Sequence, residues 1–202
     1  MLLRYSCDAH ARKHGPAGYI NYQTFKPWLR DEFTFRCVYC LERERWYPNG
    51  HHSFGVDHVK PKTDFPELEC EYNNLLYACN RCNSAKGVDL LGDPTEEGLG
   101  HHLQVNENGE IESKTDLGTL MIKVLVLDSP QLADTRRKYL AIAQLRETHP
   151  EDHEVKELYF DAFGYPQDIP NLSSPWVRNS STQQEACDNC FFCTVGPADV
   201  YI

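Results

Sequence analysis

The 202-residue sequence predicts an α+β fold. Three observations predict it. Short strand patterns, "HSFGVDHV" early in the chain and "HHLQVNENGEIES" later, stand between stretches of helical period without a regular β-α-β alternation. Two C-x2-C pairs frame the first strand. Helical periodicity then dominates the second half.

Residues 1–33 read as a helical lead-in. Tyr22, Phe25, Leu29 and Phe33 fall at near-helical spacing, with Pro27 acceptable only in a first turn. Residues 34–92 form the core segment, in which "HSFGVDHV" is a short strand and the stretch from Asn80 to Lys86 begins a helix. "GDPTEEGLG" is a connector rich in Gly, Pro and Glu. Residues 93–165 read as a mainly helical extension opened by a hairpin that turns at Asn108-Gly109. Leu117, Leu120, Met121, Val124 and Leu127 recur at helical period, although their β-branched content keeps a strand open over 116–127. Ser129 is a candidate N-cap followed by Pro130, and Gly164 ends a last helix carrying Val155, Leu158, Tyr159 and Ala162. Residues 166–202 form a tail with a cysteine-rich end.

No apolar run approaches the length of a membrane span. The start, "MLLRYSCDAH", turns polar after two leucines, so secretion is not expected and a cytoplasmic location is. Nine cysteines in a reducing compartment point to metal rather than disulfides. The net charge of −10 argues at first against a nucleic-acid partner. Its distribution matters more. Residues 1–87 hold twelve Lys/Arg against ten Asp/Glu, whereas residues 88–202 hold eight against twenty. The acidity belongs to the second half, which is expected to face solvent or a protein partner.

Cys37-Val-Tyr-Cys40 and Cys79-Asn-Arg-Cys82 are separated by 38 residues. Two thiolates at this spacing fit one tight turn, and two such turns build a closed tetrahedral S4 cage of the kind zinc prefers. Four separately buried cysteines are the plainer reading, but two matched pairs weigh against it. Such a cage is structural, because no coordination position is left for a substrate.

Between the pairs lie Asp57-His58 at the end of the predicted strand and Asn74 ahead of Leu75-Leu76-Tyr77. Asn83 follows the second pair, and Lys86 comes three residues later. Taken singly, an Asp-His pair is usually a surface ion pair, Asn74 a turn residue and Asn83 a helix cap. In combination, the order Cys-x2-Cys, Asp-His, Asn, Cys-x2-Cys-Asn-x2-Lys over about residues 36–87 closely resembles the HNH endonuclease family, whose core is the ββα-metal or His-Me finger. The last position of the family's triplet is Asn83 here rather than His.

The resemblance implies hydrolysis of DNA phosphodiester bonds. His58 would be the base that activates water, and Asp57 and Asn83 the oxygen ligands of a catalytic Mg²⁺ or Mn²⁺. Asn74 would pin the loop whose carbonyl fixes the His58 tautomer. Lys86 and Lys62 are candidate phosphate contacts, with Lys60 a further one, although lysines in such places are commonly only solvated. His51 and His52 read as surface residues. A catalytically silent, zinc-stabilised binding module is the alternative; it predicts a missing base or ligand, and none is missing. A C-x2-C redox protein would need a βαβ pattern, which is absent.

Residues 94–140 further resemble an extension found on small bacterial HNH proteins: a "DP" segment, a hairpin such as "VNENGEI", an apolar helix, then L-x3-R, here Leu132 to Arg136. In size and layout the chain resembles the HNH subunit of Septu-type and retron anti-phage defence systems, which works with an ATPase. Cys187, Cys190 and Cys193 either form a second metal site, completed by Cys7, His10 or His14, or are ordinary thiols of a tail. Cys70 reads as packing.

Overall fold

The computed structural model describes residues 3–172, which divide into two units: residues 11–90 with 165–172, and residues 3–10 with 91–164.

The first unit is built around an antiparallel pair, β1 (Phe54–His58) and β2 (Leu75–Cys79). Its register sets Asp57 opposite Leu76 and His58 opposite Leu75. β2 is buried along its whole length, which explains its continuous apolar reading rather than a period of two. Helix α1 (Lys26–Glu32) packs on the pair, and Phe25, Trp28 and Leu29 are wholly buried beneath it. Helix α2 (Asn80–Lys86) follows β2 directly. The Cys79 sulfur caps its first turn by accepting the Cys82 N–H at 3.5 Å, and Gly87 ends it at φ 55°.

The expected helical lead-in over 1–33 is corrected. Among the described residues of this stretch, helix is confined to a single 3-10 turn at Tyr22–Phe25 and to α1. Gly15-Pro16-Ala17-Gly18 interrupts any earlier helix. The backbone N–H groups of Lys13 and His14 are instead taken by the buried Glu32 carboxylate, at 2.9 and 3.0 Å. Tyr165, expected to end the extension, and residues 166–172, expected to open the tail, belong to this unit. The Tyr165 ring meets Phe35 edge-on, its carbonyl accepts from Arg45 at 2.8 Å, and Asp168 pairs with Arg30 and His51.

Several buried charges of this unit are paired with partners distant in the sequence. Arg30 grips Glu44 through two nitrogens at 2.9 and 2.8 Å, and the Tyr77 hydroxyl donates to the same carboxylate. His14 Nε2 lies 2.7 Å from Asp31.

The second unit contains a hairpin, β3 (Leu103–Val105) with β4 (Ile111–Ser113), and helices α3 (Asp116–Leu125), α4 (Pro130–Thr148) and α5 (His153–Phe163). Helix, not strand, holds 116–125. Thr115, Ser129 and Asp152 cap the three helices through their side chains. Two glycines are required by geometry. Gly109 turns the hairpin at φ 80°, and a Cβ on Gly118 would lie 2.1 Å from the His102 carbonyl oxygen. Arg136, 1% exposed, sends Nη1 to the carbonyls of Leu127 at 3.0 Å and Gly109 at 3.3 Å. It thereby joins α4 to the end of α3 and to the hairpin turn. Among the described residues, no helix is long and apolar enough to cross a membrane.

Candidate active site and cysteine cage

Cys37, Cys40, Cys79 and Cys82 come together as a buried cluster with all four ligand atoms within 4.8 Å of one another. The first pair is held by two turn hydrogen bonds, Cys37 N–H to Glu42 and Leu41 N–H to Cys37, and Val38 N–H ties the knuckle to Tyr77 on β2. The second pair straddles the end of β2 and the first turn of α2. The Cys40 and Cys79 sulfurs are 3.8 Å apart. Metal–sulfur bonds of about 2.3 Å in a regular tetrahedron require an edge of about 3.8 Å, so the donor set fits a tetrahedral soft cation. Burial pushes the Cys37 and Cys40 thiols up, while hydrogen bonds from Cys37, Cys40 and Cys82 hold Cys79 low. A divalent ion would let all four bind as thiolates. Arg81, 3.3 Å from the Cys82 sulfur, supplies further positive charge.

The cage fixes both ends of the segment that carries the remaining candidates. His58 closes β1, and its Nε2 lies 3.0 Å from the Glu69 carbonyl oxygen. A carbonyl can only accept, so Nε2 carries the proton and Nδ1 keeps its lone pair. Burial lowers the His58 pKa below the usual 6.5, against opposing pulls from the Glu69 carbonyl and Asp57. The imidazole is therefore neutral at neutral pH, as a proton acceptor must be. The loop bearing Glu69 is held by Asn74, which donates to the carbonyls of Lys60 and Leu68 at 3.1 Å each and accepts the Lys60 N–H at 2.9 Å. Asn74 thus fixes the carbonyl next to the one that orients His58, without reaching the cleft itself.

Asp57 points towards α2 and is 4% exposed. Its Oδ2 accepts the Tyr39 hydroxyl at 2.6 Å, and its Oδ1 lies 3.3 Å from Lys86 Nζ. Burial pushes the Tyr39 phenol well up, so it remains a donor. A carboxylate offers about four lone-pair positions. Two are filled, and the others remain for a hard cation. Three α2 side chains one turn apart read along β1 and its approach: Asn80 donates to His52, Asn83 to Val56 and Lys86 to His58, at 3.2, 3.1 and 2.7 Å. Because Asn83 commits its Nδ2 to Val56, its Oδ1 is turned away as an acceptor. One anionic and one neutral oxygen donor beside an imidazole suit Mg²⁺ or Mn²⁺.

Asp57, His58, Asn80 and Asn83 line one cleft of 480 Å³, together with Tyr22 and Lys62. The Tyr22 ring meets the His58 ring edge-on with centroids 4.8 Å apart. Lys62 reaches over Tyr22 at 4.4 Å and pairs with Glu69 at 3.0 Å, with its side chain 43% exposed.

Lys86 departs from the sequence expectation. It is not a surface cation for phosphate, because 2% exposure and bonds to Asp57 and His58 bury its ammonium in the protein. Lys60 lies over the Phe65 ring and lines no part of the cleft. His51 pairs with Asp168 at 2.7 Å, and its ring lies tilted against that of His52, with centroids 3.9 Å apart. His14 is committed to Asp31, which removes it as a ligand for a second cysteine site; Cys187, Cys190 and Cys193 lie outside the described residues. Cys7 is exposed and Cys70 half-buried. Sequence reasoning missed Tyr39 and Tyr22. Tyr39 sits inside a C-x2-C pair, where the cysteines draw the whole reading, and Tyr22 contributes to the apolar helical period of the lead-in.

Comparison with known proteins agrees with this geometry. Residues 37–89 match the family model described as HNH endonuclease. The Septu protein PtuB of Bacillus thuringiensis is 28% identical over 102 residues, which cover 45% of this chain and 37% of that protein. The chain therefore spans well under two thirds of that relative's length. By sequence match, by the order strand–strand–helix and by the cysteine cluster at its base, the segment from residue 37 to residue 89 is an HNH domain.

Proposed function

We propose that this chain is a divalent-metal-dependent nuclease that hydrolyses DNA phosphodiester bonds. The observation that carries this reading is the His58 imidazole: neutral, with Nε2 anchored on the Glu69 carbonyl and Nδ1 left as the basic nitrogen, in the same cleft as Asp57 and Asn83. His58 Nδ1 takes the proton of the attacking water. Asp57 and Asn83 hold Mg²⁺ or Mn²⁺ through oxygen atoms. When bound, that cation polarises the phosphate and stabilises the leaving oxygen. Lys62, the exposed cation of the cleft, contacts a phosphate oxygen, and Tyr22 buttresses the imidazole. The four cysteines hold zinc, which keeps β1, β2 and α2 in register and takes no part in the chemistry.

The likeness to a Septu protein, and the resemblance in layout to Septu-type subunits, support a role in a bacterial anti-phage defence system, in the cytoplasm and with a partner such as an ATPase subunit. The acidic composition of residues 88–202 favours a protein partner, not DNA, for that part of the chain.

The test is a supercoiled-plasmid assay with purified protein. Cleavage is expected with Mg²⁺ or Mn²⁺ and abolished by EDTA. His58→Ala should lower the rate by about 10²–10⁴-fold while zinc content and circular dichroism stay unchanged. Cleavage that persists in EDTA, or in His58→Ala, overturns the reading.

A further inference from the structure

Resting on the reading of Asp57 as a metal ligand, we propose that Lys86 is a positioning residue that sets how tightly the catalytic site holds its divalent cation. Its ammonium is the resident counter-ion of Asp57, and the incoming metal must bind against that fixed positive charge.

Four observations carry this. The Lys86 and Asp57 side chains are 1% and 4% exposed, so solvent screens their interaction little. Nζ lies 3.3 Å from Asp57 Oδ1 and 2.7 Å from the His58 carbonyl oxygen, so one ammonium binds the ligand residue and the backbone of the base together. The other Asp57 oxygen is held by Tyr39 at 2.6 Å, which stops the carboxylate from rotating away from Lys86 when a cation arrives. Finally, Lys86 is the last residue of α2, and Gly87 turns the chain immediately after it, so the ammonium is held by a helix end that the Cys79 and Cys82 knuckle anchors at its other end.

A buried carboxylate without a partner is costly. Lys86 offsets that cost and, with Tyr39, holds the Asp57 carboxylate in place at the cleft. The same charge opposes a dication at the neighbouring lone pairs, so metal binding is weaker than the bare oxygen set would allow. Other ionisable groups near the pair are Tyr39 and His58. Neither brings a fixed positive charge to Asp57, so the Lys86 ammonium is the cationic group that faces it at 3.3 Å.

The experiment is a Mn²⁺ titration followed by electron paramagnetic resonance of free Mn²⁺, on the zinc-loaded chain and on Lys86→Met, Lys86→Gln and Asp57→Asn, alone and combined. Lys86→Met and Lys86→Gln should bind Mn²⁺ at least tenfold more tightly than the parent, and the gain should vanish in the Asp57→Asn background. Half-saturating Mg²⁺ for cleavage should fall in parallel. Gln keeps a donor for the His58 carbonyl, so it remains informative if Met disturbs folding; zinc content reports the fold of each variant. Unchanged or weaker Mn²⁺ binding in folded Lys86→Gln, with the parent site still dependent on Asp57, overturns the proposal alone. Equal Mn²⁺ binding by the parent and Asp57→Asn instead overturns the assignment of Asp57 as a ligand, and with it the proposed function.

Discussion

Lys86 and Arg136 are both buried cations on helices, and their surroundings separate the two units. Lys86 faces a carboxylate and a carbonyl at the wall of a cleft, with an imidazole and an amide oxygen beside it. Arg136 donates only to the carbonyls of Gly109 and Leu127, and its Nε and Nη2 are buried without a partner among the described residues. Around Lys86 the buried polar groups adjoin a space that a small charged ligand can enter. Around Arg136 they close a turn and a helix end. Burial of charge alone therefore does not mark a reactive site; convergence on an accessible volume does.

The sharpest way to break this comparison is to open the cage. Cys79→Ser keeps an oxygen able to cap α2, so the loss falls on the metal rather than on the helix end. Bound zinc and thermal stability should drop together, by several kcal/mol or to outright unfolding of the HNH domain, as metal analysis and calorimetry would show. Unchanged zinc in this variant would remove the cage from the account. The counterpart in the other unit is Arg136→Ala, which orphans two buried carbonyls and should cost about 2–4 kcal/mol in denaturant unfolding. Plasmid cleavage per folded molecule should stay constant. A loss of cleavage at full stability would show that the second unit contributes chemistry.

A smaller effect sharpens the role of His58. Burial favours its neutral form, so the reactive state is full above the usual imidazole value of 6.5 and is lost as pH falls through a lower one. The cleavage rate should be level near pH 7 and then decline about tenfold per pH unit once the imidazole is protonated. A midpoint at or above 6.5 would contradict the burial of this side chain.

The parts of this arrangement that could be read from sequence are those specified locally. Two C-x2-C pairs announce a cage because spacing alone puts two sulfurs on one turn. Ser129 announces a helix start because a cap acts within three residues. Asn74 and His58 were legible only through the family pattern, since the link between them runs through the carbonyls of Leu68 and Glu69. What stayed hidden was long-range. Glu32 captures N–H groups 18 and 19 residues away and so turns a predicted helix into an irregular segment. Lys86 looks like a surface lysine at a helix end until Asp57, 29 residues earlier, is placed against it. Tyr39 reads as filler between two cysteines until the fold brings its hydroxyl to the same carboxylate. Such pairings carry no local signature, because nothing about either partner's neighbours favours the contact.

The most direct measurement is anomalous diffraction from crystals of the zinc-loaded protein soaked in Mn²⁺, with data at the zinc and manganese edges. The account predicts a zinc peak among the sulfurs of Cys37, Cys40, Cys79 and Cys82, and a separate manganese peak within bonding distance of Asp57 and Asn83, on the side of the cleft where His58 Nδ1 lies. Manganese bound elsewhere, or a cleft that stays free of it at saturating concentration, would contradict the account.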